Sequence, residues 1–90
     1  MSVSAEPIDY GPPIKRSVLI AGHPTSISLE PIFWRGLEVA ADERGMPLNA
    51  IVAQIDEARL EVQPPPNLTS AIRQWLFARA LDGLRQSDPD

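Results

Sequence analysis

Hydrophobic and polar positions alternate along residues 25–29 of the chain. Successive side chains of an extended strand point to opposite faces, so Ile27 and Leu29 share one face while Ser26 and Ser28 share the other. This pattern predicts a short strand with one buried face and one polar face. A lone strand cannot pair its own backbone groups, so a second strand must lie beside it.

Two sources of the second strand stay open at the level of the sequence. Residues 17–21, SVLIA, favour β structure, and Gly22, His23 and Pro24 predict a turn, so these residues can close an intrachain hairpin with the strand at 25–29. Alternatively, the strand pairs with its counterpart in a second copy. Oligomerisation is expected on general grounds, because a chain of 90 residues without cysteine has a small core and no disulfides.

Two amphipathic helices follow the strand. Pro31 suits the first turn of the first helix, and Gly45 ends that helix where a left-handed residue is wanted. After Met46 and Pro47, the second helix is predicted to run from about residue 48 to residue 59. The two apolar stripes recur at helical spacing: Phe33, Leu37, Ala40 and Ala41 in the first helix, and Leu48, Ile51, Val52 and Ile55 in the second.

A third helix is predicted beyond a proline-rich spacer that we expect to be extended. Asn67 or Thr69 would cap this helix. One apolar face is assigned to it: Leu68, Ile72, Trp75, Leu76, Leu81 and Leu84. The predicted segments are a disordered arm at 1–14, a core at 15–60, the spacer at 61–67, the third helix at 68–85 and a disordered tail at 86–90.

Composition narrows the functional classes. With no cysteine and one histidine, neither a metal site nor a disulfide is expected, and nothing in the sequence indicates a cofactor. Scattered serines and acid pairs on helix faces do not predict catalysis. The N-terminal residues lack a secretory pattern and no run reaches membrane-spanning length, so we expect a cytoplasmic protein. The net charge of −4 argues against broad electrostatic binding of nucleic acid.

Residues 15–56, KRSVLIAGHPTSISLEPIFWRGLEVAADERGMPLNAIVAQID, resemble the ribbon-helix-helix DNA-binding proteins. The likeness is to a bacterial subfamily with a basic start, an A-G-H turn, a T-S-x-S-L-E strand end and an R-G-x-x-L-N-A helix junction. It implies an α+β, mostly helical fold and an intertwined homodimer, with antiparallel strands from two chains above a shared helical core. The core positions so implied are Ile27, Leu29, Phe33, Leu37, Ile51, Val52 and Ile55.

The resemblance also implies a DNA-binding site. The ribbon would enter the major groove with Ser26 and Ser28 facing the bases. Phosphates would lie near Lys15 and Arg16 and at the start of the second helix, at Pro47, Leu48 and Asn49. His23 is a further candidate base contact.

Each of these residues also has a structural interpretation. Lys15 and Arg16 are equally consistent with a solvated pair that protects a strand edge, and His23 with a plain turn position. Asn49 can instead tie down the first turn of its helix. Trp34 and Trp75 are interpreted as core and docking residues, because they lie among apolar positions.

The leading hypothesis is a homodimeric transcriptional regulator that binds double-stranded DNA. The alternative is a dimeric interaction module on the same scaffold, which binds a protein partner through residues 68–84 and binds little or no DNA. The acidic net charge, the serine-faced ribbon and the long third helix favour the alternative.

Overall fold

The computed structural model of the chain describes residue 8 and residues 10–86, and it contains two strands followed by three helices. The elements are β1 (Ile14–Ile20), β2 (His23–Leu29), α1 (Pro31–Arg44), α2 (Leu48–Arg59) and α3 (Leu68–Gln86). The expected α+β, mostly helical class is confirmed. Most of the predicted arm and tail lies outside the described residues, but Ile14 already belongs to β1 and Gln86 still belongs to α3.

The second strand comes from the same chain, because β1 and β2 form an antiparallel hairpin. The turn is Ala21 and Gly22, whose φ angles of 51° and 82° both lie in the left-handed region. Two-residue turns with positive φ at both positions match the twist of the strands that they join. The predicted turn at Gly22, His23 and Pro24 is therefore wrong, since the last two residues belong to β2.

Pro24 is compatible with a strand because of its place in the hairpin register. In a two-residue hairpin the residues that flank the turn, here Ile20 and His23, exchange hydrogen bonds. The next pair, Leu19 and Pro24, is then a non-hydrogen-bonded pair. Its backbone N and O atoms point away from the opposite strand, so the missing N–H of proline costs no bond within the hairpin.

One face of the hairpin covers the helices. Ile27 and Leu29 of β2 and Val18 of β1 are buried in a common core with residues of all three helices. The helical members of this core are Trp34, Leu37, Ala41, Ile51, Val52, Ile55, Ala71 and Ile72. The indole of Trp34 also donates a hydrogen bond from Nε1 to the Ile14 carbonyl over 2.9 Å. This bond ties α1 to the first residue of the hairpin.

The helix ends follow the sequence closely. Gly45 is left-handed at φ 64°, and its N–H donates to the Asp42 carbonyl over 3.2 Å. At the start of α3, the Asn67 carboxamide oxygen accepts the Ser70 N–H over 2.8 Å. Asn67 is therefore the cap of the third helix, as one of the two predicted alternatives had it.

The spacer before α3 is turned rather than extended along its whole length. The Glu61 N–H donates to Ala58 and the Val62 N–H donates to Arg59, which continues the end of α2 for two more residues. The guanidinium of Arg59 also donates to the Pro66 carbonyl over 3.1 Å. A run of prolines excludes a helix but does not exclude a turn before it, so the expectation was wrong for the first part of this segment.

The single apolar face predicted for α3 divides into two. Leu68, Ile72, Trp75 and Leu76 belong to the core or pack against it. Leu81 and Leu84 are 46% and 70% exposed, as is Phe77 at 64%. Leu81 follows Leu76 by five residues, which at about 100° per residue turns it well away from the buried face.

Leu76 reaches α1 at its glycine. A Cβ atom built on Gly36 would lie 3.2 Å from Cδ2 of Leu76. Because Gly36 has no side chain, α3 can pack close to α1 at this position.

Glu30 and Arg73 join the start of α1 to α3, and this contact predicts a pH dependence. A hydrogen bond from its own backbone N–H, and then the Arg73 guanidinium, lower the pKa of the Glu30 carboxyl below its ordinary value of 4.5. Because the folded pKa is the lower one, the contact stabilises the fold above pH 4.5, and the stabilisation is lost as pH falls through the folded pKa. The melting temperatures of the wild type and Glu30→Gln should therefore converge in acid.

The control for this effect is the same comparison in an Arg73→Leu background. There the difference between Glu and Gln at position 30 should be smaller at neutral pH, because one of the two groups that lower the pKa is gone. Thermal melts from pH 7 to pH 2 measure both differences. A constant difference between wild type and Glu30→Gln at every pH would contradict the assignment.

Candidate nucleic-acid interface

The hairpin face turned away from the helices is an exposed row of six side chains, which we call the outer face. Cross-strand pairs arrange it in three steps: Lys15 with Ser28, Ser17 with Ser26, and Leu19 with Pro24. All six residues are exposed. The outer face therefore runs from a charged end, through hydroxyl groups, to an apolar tip at the turn.

The two hydroxyl groups at the centre of the outer face could bond to bases in a DNA groove, but with little selectivity for one base over another. Ser17 and Ser26 form a non-hydrogen-bonded pair, in which side chains stand closest together. A serine hydroxyl both donates and accepts, so it can bond to the edge of any base. A two-stranded ribbon also fits the major groove, which is about 12 Å wide in B-DNA.

Arg16 lies on the opposite face from Lys15. Its guanidinium carbon is 4.4 Å from the centre of the Trp34 ring, and Nη1 is 3.3 Å from Oε2 of Glu38. These contacts hold Arg16 against α1. The two adjacent basic residues, predicted to act as a pair, are thus placed on opposite faces by the alternation of the strand.

His23 shares its strand face with Thr25 and Ile27 rather than with Ser26 and Ser28. It is exposed beside the turn, and its carbonyl accepts a hydrogen bond from the Thr25 hydroxyl over 3.4 Å. The structure therefore does not bring His23 into the row of the outer face. A base contact by His23 stays a prediction.

The start of α2 leaves backbone amides without a side-chain cap. Pro47 is the N-cap residue, and no side-chain hydrogen bond caps this end. The first backbone bonds run from the N–H groups of Ala50 and Ile51 to the Pro47 carbonyl. Pro47 and Asn49 are exposed and Leu48 is half-buried. This end is available to a phosphate, since unpaired amides and the helix dipole both favour an anion.

The order of hairpin, helix, turn and helix agrees with a comparison against known families. A family model described as a ribbon-helix-helix domain matches residues 13–80. The chain belongs to the ribbon-helix-helix family. No curated protein and no solved structure matches the chain. Ribbon-helix-helix proteins commonly bind DNA, so family membership supports a nucleic-acid interface in general terms.

Sequence reasoning missed two residues of the candidate interface, Ser17 and Leu19. Ser17 and Leu19 were assigned to a β-favouring run, but no face was given to them. The extension of the strand back to Ile14 adds Lys15 to the side of Ser17 and Leu19, and the two-residue turn places that side beside Ser26 and Ser28. Lys15 and Arg16 were interpreted as one pair, either as phosphate contacts or as a solvated pair that protects a strand edge, so they were not assigned to opposite faces of a strand.

The part of the chain that the structure describes holds neither a metal-ligand cluster nor a helix that could cross a membrane. No group of three or more His, Cys, Asp or Glu side chains could hold a metal ion there. Within the same residues, no helix combines the length and apolar character needed to cross a membrane.

Proposed function

We propose that this ribbon-helix-helix protein is a homodimeric, cytoplasmic DNA-binding transcriptional regulator without catalytic activity. The observation that supports the proposal is the outer face, where Lys15 and three serines, Ser17, Ser26 and Ser28, stand exposed on a two-stranded ribbon. The ribbon would enter the major groove with the serines towards the base edges. Lys15 and the amides at the start of α2 would contact phosphates.

A second copy would join along the free edge of β2. The backbone groups of Pro24, Ser26 and Ser28 point away from β1, because these residues form non-hydrogen-bonded pairs with it. Pro24 has no N–H, so an antiparallel partner is fully bonded only in a register that avoids it. The register that avoids Pro24 and still pairs both other positions sets Ser26 opposite Ser28 of the partner subunit. The two hairpins would then form one continuous sheet with a doubled outer face.

The electrostatic contribution to binding would be small. The chain carries a net charge of −4, and Arg16 is engaged by Trp34 and Glu38. Each dimer would then neutralise few phosphates beyond those at its two Lys15 side chains. The logarithm of affinity falls with that of salt by about 0.9 per neutralised phosphate, so a shallow slope is expected.

Single substitutions of the two basic residues should give different results. Lys15→Ala should weaken binding to every DNA sequence and reduce the salt slope by about 2, one unit for each copy in the dimer. Arg16→Ala should leave the slope unchanged and lower the melting temperature, because it removes a cation–π contact and an ion pair. Gel-shift titrations at several salt concentrations, with DNA from upstream of the protein's own gene, measure the slopes.

The same titrations can refute the proposal. An unchanged slope in Lys15→Ala, or a loss of slope confined to Arg16→Ala, would mean that the outer face is not the side that meets DNA. Absence of any DNA binding by a folded dimer would refute the proposed function as a DNA-binding regulator. Sedimentation that shows a folded monomer at micromolar concentration would overturn the dimer.

A second function is favoured by the exposed apolar face of α3. Phe33, Arg73, Phe77 and Leu81 are among the residues that line a groove of about 510 Å³. Phe77 is 64% exposed, and Leu81, one helical turn further along α3, is also exposed. Contiguous exposed apolar side chains mark interaction surfaces. A protein partner that binds residues 68–84 would cover it. Loss of partner binding in Phe77→Ser with DNA binding intact would support this function, and loss of neither would refute it.

A further inference from the structure

The tip of the outer face is apolar. Leu19 lies opposite Pro24, next to the two-residue turn. Leu19 is 53% exposed, although its neighbours Val18 and Ile20 belong to the core or pack against it. A single exposed leucine is ordinary on a protein surface. This one, however, continues the β1 side of the outer face, whose other members, Lys15 and Ser17, are polar.

The spacing of that row matches the spacing of base pairs. A strand rises about 3.4 Å per residue, so residues on the same face are about 6.8 Å apart. Stacked base pairs in B-DNA are also about 3.4 Å apart. A ribbon that lies along the groove therefore advances about two base pairs from Lys15 to Ser17, and about two more from Ser17 to Leu19.

The base edges of the major groove offer one apolar group, the C5 methyl of thymine. We infer that Leu19, with Pro24 beside it, packs against a thymine methyl group and so determines part of the sequence specificity. The contact would distinguish thymine from the other bases, which the serines cannot do because a hydroxyl group can bond to the edge of any base. This inference rests on the proposed DNA-binding function. In a dimer it gives two thymines, related by the symmetry of the operator.

The test uses thymine and uracil, which differ only by this methyl group. The full-length protein first selects a binding duplex from a random-sequence pool, and each thymine is then replaced by deoxyuridine in turn. At one symmetric pair of positions, the wild type should lose about fourfold in affinity per thymine, the loss expected for one buried methyl group. Leu19→Ala should bind both duplexes equally, while Leu19→Met should retain the preference.

Leu60→Ala is the matched control, since Leu60 is a leucine of similar exposure, 51%, at the end of α2. The Leu60→Ala variant should lose as much DNA affinity as the wild type when thymine is replaced by deoxyuridine. A loss that persists in Leu19→Ala, or that also disappears in Leu60→Ala, overturns the inference. Binding that is insensitive to deoxyuridine would overturn the inference about Leu19 but would not affect the proposed DNA-binding function. If no duplex is selected at all, the proposed function itself fails.

Discussion

Replacing Trp34 with alanine should lower the free energy of unfolding by about 3–5 kcal/mol, the cost typical of removing a large buried aromatic side chain. Trp34 is only 4% exposed and contacts the hairpin in two ways. Its indole N–H donates to the Ile14 carbonyl, and Arg16 lies over its ring. The substitution should therefore loosen the hairpin from α1. Denaturant unfolding followed by circular dichroism, at fixed protein concentration, measures the change.

More conservative variants separate the contribution of the Trp34 hydrogen bond from that of its packing. Trp34→Phe keeps an aromatic ring and loses the hydrogen bond, so it should cost about 1 kcal/mol for that bond, in addition to any loss of packing. Trp75→Phe is the control, because Trp75 is a half-buried indole that stacks with Arg44 instead of bonding the hairpin. If Trp34→Ala costs no more than Trp75→Phe, the described link between hairpin and helix is wrong.

Replacing Ile72 with alanine should lower the free energy of unfolding by about 2–5 kcal/mol. Ile72 is fully buried, at 0% exposure, in the core shared by the hairpin and the first two helices. Its side chain is therefore part of one cooperative unit, although the proline-rich segment separates α3 from α2 along the chain. The expected result is a single unfolding transition at lower denaturant concentration, with helix and tryptophan signals that still coincide.

Phe77→Ala provides the comparison on the same helix. Phe77 is five residues away and 64% exposed, so its removal should cost less than half as much. A small cost for Ile72→Ala, or separate transitions for α3 and the remainder, would show that the third helix is not integral to the core.

The helices could be predicted from the sequence because their signals are local. The stripe from Leu48 to Ile55 and the glycine at position 45 determine α2 and the end of α1 by spacing and backbone preference alone. The division of the apolar residues of α3 into two faces was missed because the leucines were grouped by residue type. Leu76 and Leu81 are both leucines, but the angle between them around the helix axis shows that they cannot face the same neighbour.

The candidate interface was less predictable, because it depends on pairing between strands. Ser26 and Ser28 could be assigned to a polar face from alternation within β2. Which residues lie beside them depends on a turn at Ala21 and Gly22, and an alanine with positive φ gives almost no signal in sequence. A turn of three residues instead of two would have placed Arg16, not Lys15, in the outer row.

Pro24 has a consequence for how the protein behaves at high concentration. Exposed strand edges invite further strands, and a hairpin that accepts them at either edge can grow into fibres. Here the edge of β2 carries a proline, which donates no hydrogen bond, and the edge of β1 carries the positive charge of Lys15 near its start. Both features discourage open-ended growth, so the same residues that order the outer face should also help to keep the protein in small, discrete assemblies.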